Sequence, residues 1–155
     1  MRLQFRPARL PDRLLSPDMS AEERSSGREL LLRLGITLPP TQADLLNGRV
    51  RIWECAADSQ VVGRCAADMR NGEIIFLDVQ RGYEGLGIGA QLLSIGVGWL
   101  RAEGALRIWL VAPSNPTLRA FGFYRALGWR PTGASIDDAN EILELPADRD
   151  GRASH

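Results

Sequence analysis

Four runs of the chain are predicted to be strands, and the first of them alternates between apolar and polar residues, as a strand with one buried face does. They cover residues 3–6, 50–57, 61–68 and 73–79. The polar turn Asp58-Ser59-Gln60 separates the second run from the third, which predicts a hairpin. Asn71-Gly72, a dipeptide typical of tight hairpin turns, separates the third run from the fourth. The middle of the chain is therefore predicted to be a meander of three strands.

Apolar residues three and four positions apart mark the helices, and glycine marks several of their ends. Helices are predicted over residues 20–34, 41–46, 88–102 and 117–127, and two more strands over 107–111 and 141–145. The first helix opens with a capping box, Ser20-Ala21-Glu22-Glu23. This order predicts an α/β (α+β) fold with helices on both faces of a sheet. We expect a single domain over residues 1–146 and a polar tail over 147–155.

Charge and cysteine content narrow the classes of function. The 19 basic residues, all arginine, balance the 19 acidic residues. A chain without net charge has no long-range attraction for phosphate backbones or anionic lipid, so nucleic acid and membrane are disfavoured as partners. Cys55 and Cys65 have no CxxC spacing and the single histidine is His155, so we expect no metal site. Buried free thiols and the lack of a secretory or spanning segment indicate a cytoplasmic protein.

A glycine-rich turn lies between the fourth strand and the helix that begins at Ile88. Residues 80–89 contain four glycines. At such a helix start, unpaired N–H groups and the helix dipole attract an anion. Gly85, Gly87 and Gly89 would let a pyrophosphate approach the backbone without a Cβ in the way. The alternative is a flexible turn that needs positive φ angles.

Two nucleotide-binding motifs are alternatives for this loop. Gly85-x-Gly87-x-x-Ala90 formally matches the dinucleotide fingerprint, which would indicate an oxidoreductase. That fingerprint belongs to the first turn of a βαβ unit, whereas this loop follows a meander, and the strand over 107–111 ends without an acidic residue for a ribose. A Walker loop needs a lysine, and the chain has none. Both motifs are therefore disfavoured.

Two segments together resemble the signatures of the GCN5-related N-acetyltransferase (GNAT) superfamily. The strand over 73–79, the loop over 80–89 and the helix start Ala90-Gln91-Leu92-Leu93 resemble its acetyl-CoA-binding motif. Phe123-Tyr124-Arg125-Ala126-Leu127-Gly128-Trp129 resembles its second signature, and Val61-Val62-Gly63 fits as well. The resemblance covers roughly residues 48–131. It implies a mixed, mostly antiparallel sheet of six to seven strands.

The resemblance also implies the residues that bind acetyl-CoA. Main-chain groups of Leu77 and Val79 would bind pantetheine where their strand diverges from its neighbour. The implied contacts are Leu77, Asp78, Val79, Gly85, Leu86, Gly87, Ile88, Gly89, Ala90, Asn115, Thr117 and Tyr124. The family usually has Gln or Arg at the position of Glu84, so we expect Glu84 to point into solvent. It also favours an asparagine where Thr117 stands, so either Asn115 or Thr117 would contact the coenzyme.

The chemistry implied is acetyl transfer from acetyl-CoA to a primary amine of a small molecule or peptide, by direct attack in a ternary complex. Tyr124 is the candidate acid for the departing thiolate, the alternative being a tyrosine that only packs at a helix end. Glu73 is the candidate base, with Asp78 second and a water relay third, although Glu73 could also simply face water. The other functional hypothesis is a catalytically weak, CoA-binding regulatory module of the same fold. A homodimer is compatible with either function.

Overall fold

The computed structural model describes residues 1–8 and 47–147, which form a sheet and two helices. The strands are β1 (Leu3–Pro7), β2 (Val50–Ala57), β3 (Gln60–Asp68), β4 (Glu73–Val79), β5 (Ile108–Pro113), β6 (Arg130–Ser135) and β7 (Asn140–Leu145). The helices are α1 (Ile88–Ala102) and α2 (Arg119–Ala126). The helices predicted over 20–34 and 41–46 lie outside the described residues, as does the tail from residue 148.

The sheet has seven strands in the order β1-β2-β3-β4-β5-β7-β6. Neighbouring strands are antiparallel except for β4 and β5, which run parallel. The predicted mixed, mostly antiparallel sheet is therefore confirmed. The predicted hairpin between β2 and β3 closes through Asp58 and Ser59, whose φ angles of 48° and 82° are those of a two-residue turn that matches the twist of the strands.

Strand β6 was not predicted. It pairs with β7 at the edge of the sheet, and each of its residues is exposed. Pro131 lacks an amide proton and Gly133 lacks a side chain, so both residues lower strand propensity. Because this strand buries no face, it shows no apolar alternation that a sequence pattern could reveal.

The main core lies between α1 and the face of the sheet formed by β2, β3 and β4. Its fully buried members include Leu92 and Leu100 of α1 and Cys65 of β3. Two glycines let the helix approach the strands closely. A Cβ on Gly63 would lie 3.0 Å from methyl groups of both Ile88 and Leu92, and one on Gly96 would lie 3.2 Å from Cys65 Sγ. These contacts fix the start of α1 above the ends of β3 and β4.

A smaller cluster forms on the opposite face of the sheet, because side chains alternate along β5. Ile108, Leu110 and Ala112 point into the main core, whereas Trp109 joins Ile136 and Ile142 in the second cluster. In the part of the chain that the structure describes, no helix is long and apolar enough to cross a membrane.

Candidate functional site

The sheet opens between β4 and β5. The two strands pair at one position, Glu73 with Trp109, where the Trp109 N–H donates to the carbonyl of Gly72 at 3.1 Å. The register between β3 and β4 shifts next to Ala67, so that Ile75 is an extra residue on β4. Such a bulge bends its strand. The remainder of β4 therefore has β3 on one side and an opening on the other.

Main-chain groups of two β4 residues point into this opening. The N–H of Gln80 donates to the carbonyl of Val62 at 2.7 Å, which places the amide of Gln80 on the β3 side. Main-chain groups alternate in direction along a strand, so those of Leu77 and Val79 point away from β3. This is the arrangement that the resemblance implied for pantetheine.

The glycine loop follows β4 and leads into α1. Gly82, Gly85 and Gly87 have φ angles of 98°, 80° and 82°, a left-handed conformation that side chains disfavour. Gly87 caps α1 and no side chain bonds the helix start. The first intrahelical bond runs from the N–H of Gln91 to the carbonyl of Gly87 at 3.0 Å. The amides of residues 88–90 therefore precede the hydrogen-bonded part of the helix, where an anion is favoured.

A cavity of about 550 Å³ lies between the end of β4, this loop and α2. Predicted coenzyme contacts that line it are Leu77, Asp78, Val79, Gly85, Gly87, Ile88, Gly89, Ala90 and Tyr124. Leu86 does not line it and is half exposed. Asn115 and Thr117 do not line it either, and both are exposed.

Asn115 and Thr117 instead form the turn that precedes α2. Asn115 Oδ1 accepts from the Thr117 N–H at 3.0 Å and from the Thr117 hydroxyl at 2.8 Å. The carbonyl of Asn115 also accepts from the N–H of Leu118. Their polar groups hold the turn, which explains why α2 begins at Arg119 and not at the predicted Thr117.

Five further residues line the cavity and were not among the predicted contacts, namely Tyr83, Glu84, Arg119, Ala120 and Phe123. A Cβ on Gly89 would lie 3.3 Å from the Phe123 ring, so this glycine lets α2 pack against α1. Helical spacing was the available signal for three of them. Ala120 lies four residues before Tyr124 and Arg119 lies four residues before Phe123, so each pair shares one side of the helix.

Tyr124 is held among aromatic rings at the end of α2. The centroid of its ring lies 5.1 Å from that of Phe123 and 6.2 Å from that of Trp129, and both pairs are edge-on. Gly128, with a φ of 97°, turns the chain so that Trp129 returns to the core and its N–H donates to the Tyr124 carbonyl at 3.1 Å. Burial, and to a lesser degree the Cys65 thiol, raise the pKa of Tyr124 to about 12. Tyr124 therefore keeps its proton at neutral pH.

The comparisons with known proteins agree with this geometry. The model of the acetyltransferase (GNAT) family matches residues 15–129, more than half of the chain. The chain belongs to the GNAT family of acetyltransferases. No curated protein sequence matches it significantly.

Solved structures share the GNAT fold with this chain at low sequence identity. The PaiA N-acetyltransferase of Thermoplasma acidophilum, in complex with coenzyme A, is 18% identical, with a TM-score of 0.62 over 93% of this chain and 98% of that one. A GNAT acetyltransferase of Elizabethkingia anophelis, with acetyl-CoA bound, is 15% identical, with a TM-score of 0.61 over 92% and 97%. An acetyltransferase of Thermus thermophilus is 18% identical, with a TM-score of 0.56 over 94% and 97%.

The carboxylate of Glu73 lies in this GNAT domain at the closed end of the opening. Burial and, to a lesser degree, the nearby charge of Asp68 raise the pKa of Glu73 to about 8. A hydrogen bond with the Asn71 side chain lowers this pKa, but by less. Asp68 is buried and paired with Arg49 and Arg70. A strand rises ~3.3 Å per residue, so Glu73 is roughly 13 Å along β4 from Leu77. Glu73 does not line the cavity.

Asp78 is the carboxylate of β4 that does line the cavity. It also lines a second hollow of about 430 Å³ together with Gly63, Arg64 and Arg81. Asp78 therefore borders both spaces. The described residues contain no group of three or more His, Cys, Asp or Glu side chains placed to hold a metal ion.

Glu84 is fully exposed on the glycine loop, as expected, but its carboxylate also contacts the loop. It accepts the N–H of Gly82 at 2.8 Å. Hydrogen bonds from the amides of Gly82 and of Glu84 itself lower the pKa of this carboxyl, and the charges of Arg119 and Arg81 contribute less. An acidic side chain thus lies beside amides that the sequence predicted to face a pyrophosphate.

Proposed function

We propose that this chain transfers an acetyl group from acetyl-CoA to a primary amine of a small molecule or peptide, by direct attack in a ternary complex. The observation that carries the proposal is the opening between β4 and β5. One wall carries main-chain groups of β4 that no described strand pairs, the glycine loop lies at one end, and Tyr124 lies beside it. Membership of an acetyltransferase family supports the same reaction.

Backbone groups would hold the donor along its length. The amide and carbonyl groups of Leu77 and Val79 would extend the ladder of β4 to the amides of pantetheine, as an added strand does. The amides of residues 85–90 would bind the diphosphate at the start of α1. The coenzyme A and acetyl-CoA in the Thermoplasma and Elizabethkingia structures support this choice of donor.

The transfer itself needs two proton movements. The amine nitrogen attacks the thioester carbonyl carbon, the carbon–sulfur bond breaks, and the thiolate of coenzyme A leaves. Tyr124 would give this thiolate its proton, because its raised pKa keeps the phenol protonated. The amine must lose one proton to a base, which can later return a proton to the phenolate through water.

Asp78 and Glu73 are the carboxylates proposed for the base. Asp78 lines the cavity, whereas Glu73 is buried further along β4. A pKa of about 8 leaves Glu73 mostly protonated at neutral pH, so it would act as a base only above that pH. Asp78→Asn and Glu73→Gln, compared by the pH profile of kcat, distinguish the two from a water relay.

A weakly active CoA-binding module is the second candidate. It is favoured by Glu84, an acidic residue next to the amides that would hold a diphosphate. Such a module would bind the coenzyme without turning over amines.

The test measures binding and turnover together. Thermal shifts with acetyl-CoA, longer acyl-CoAs and NAD(P) identify the ligand, and release of the coenzyme A thiol over a panel of amines reports transfer. We expect a shift with acetyl-CoA, turnover with at least one amine, and a loss of about a hundredfold in kcat for Tyr124→Phe. Tyr83→Phe removes the chain's other phenol from the same cavity, and the loss in kcat should be at least about tenfold smaller than for Tyr124→Phe. A shift with NAD(P) alone would refute the proposal, and binding without turnover would favour the module.

A further inference from the structure

Arg119 is a charged residue at the mouth of the cavity for which the reaction described above has no role. It is the first residue of α2 and lines the cavity beside the glycine loop. Its Nη2 atom lies 3.9 Å from the position that a Cβ would take on Gly85. Arg125, on the same helix, bonds Glu141 at 2.8 Å, whereas Arg119 forms no ion pair with any described residue. Its guanidinium is therefore available to a ligand of the loop.

The loop carries an anion of its own at the same place. The Glu84 carboxylate accepts the Gly82 N–H, and the charges of Arg119 and Arg81 help to keep it ionised. A carboxylate among amides and arginines has the chemistry that a phosphate group would have there. A diphosphate bound at residues 85–90 would thus meet a negative charge on the loop and a positive charge on α2.

We infer that Arg119 binds the diphosphate of the donor. It supplies a positively charged contact next to a loop on which Glu84 carries a negative charge. The inference rests on the proposed function. A guanidinium can bond phosphate oxygens through two parallel N–H groups, and its charge offsets the repulsion from Glu84. Glu84 in turn competes with the donor for Arg119, so it weakens binding without touching the acetyl group. Recognition of the diphosphate is shared between two segments that are distant in sequence.

A purely structural role for Arg119 predicts something different. An arginine that only braces Gly85 would support the loop for every donor. A diphosphate contact matters only to donors that contain a diphosphate. S-acetylpantetheine carries the same thioester and the same amide groups as acetyl-CoA but lacks the diphosphate, so a comparison of the two donors separates the roles.

The experiment measures kcat/KM for both donors in the full chain and its variants Arg119→Gln, Arg119→Lys and Glu84→Gln. Arg101→Gln, in the last turn of α1, removes an exposed arginine at the opposite end of that helix from the loop. For Arg119→Gln we expect the ratio of kcat/KM for acetyl-CoA to that for S-acetylpantetheine to fall about tenfold. Arg119→Lys should recover part of the ratio, Glu84→Gln should raise it about threefold, and Arg101→Gln should leave it unchanged.

A binding measurement makes the result independent of turnover. The Kd of coenzyme A and of 3′-dephospho-coenzyme A, which keeps the diphosphate, should both rise about tenfold in Arg119→Gln. If Arg119→Gln raises the Kd of coenzyme A but not that of 3′-dephospho-coenzyme A, then Arg119 binds the 3′-phosphate and the inference is overturned. Equal losses for acetyl-CoA and S-acetylpantetheine, with a lower melting temperature, would show that Arg119 braces the loop. Wild-type protein that binds no coenzyme A would instead refute the proposed function.

Discussion

Glu73 is a buried carboxyl, next to the opening of the sheet, that makes the stability of the protein depend on pH. It pairs with Asp68 in the register of β3 and β4, and it is also the β4 residue of the single β4–β5 pairing. Asp68 is paired with Arg49 and Arg70, and burial together with the charge of Asp68 raises the pKa of Glu73. Ionising Glu73 would place a second negative charge in a buried site where no described cation forms an ion pair with it.

The stability of the protein should therefore fall as pH rises. The pKa of Glu73 is about 8 in the folded protein against an ordinary value of 4.5, so between these values the folded state holds a proton that the unfolded chain has lost. The free energy of unfolding then declines through this window, by up to roughly 5 kcal/mol for this group, and levels off above pH 8. Denaturant unfolding from pH 5 to pH 9 measures the slope.

Glu73→Gln should remove most of that slope, because glutamine does not titrate. Glu103→Gln, an exposed residue after α1, should keep the wild-type slope. Parallel curves for Glu73→Gln and wild type would mean that Glu73 is ionised in the folded protein.

Among the elements, the turn between β3 and β4 depends most strictly on glycine. Gly72 has a φ of 79°, and a Cβ on it would lie 1.8 Å from the carbonyl oxygen of Arg107. That close approach lets the Gly72 carbonyl accept the N–H of Trp109 and start the β4–β5 pairing. The turn thereby joins the two parts of the sheet.

Gly72→Ala should lower the free energy of unfolding by about 3 kcal/mol or more, because it adds a clash with the backbone to the cost of a positive φ. Gly104→Ala is the matched control, since Gly104 has a φ of 89° with no atom within 4 Å of its Cβ position. It should cost only about 1 kcal/mol, the backbone part. Urea unfolding compares them, and similar losses would show that the turn yields to the extra carbon.

Sequence predicted the elements that bury a face and missed those that do not. β2 and β4 have the predicted bounds because turn residues lie at the ends of these largely apolar runs. β6 was missed because this exposed edge strand contains no run of apolar residues. In the site, the spacing of the glycines was enough to indicate the loop. Arg119 could not be placed in the same way, since its role depends on how α2 packs against the loop.

At the scale of the whole molecule, the described sheet consists of two parts, β1 to β4 and β5 to β7, that share one pairing position. A donor bound in the opening should protect strand groups that have no strand partner there. We expect acetyl-CoA to slow hydrogen exchange at the amides of Leu77 and Val79 by about tenfold or more. The amide of Gln80, already bonded to Val62, is the internal reference. Unchanged exchange at both positions, with acetyl-CoA in excess, would place the donor elsewhere.

An opening lined by main-chain groups has a consequence for how such proteins diverge. Amide and carbonyl groups are the same whatever residue carries them. If a coenzyme is bound mainly through main-chain groups, packing alone constrains the side chains of Leu77 and Val79. Substitutions there that keep an apolar shape can accumulate without cost to recognition. Structures that are only 15–18% identical to this chain share its fold.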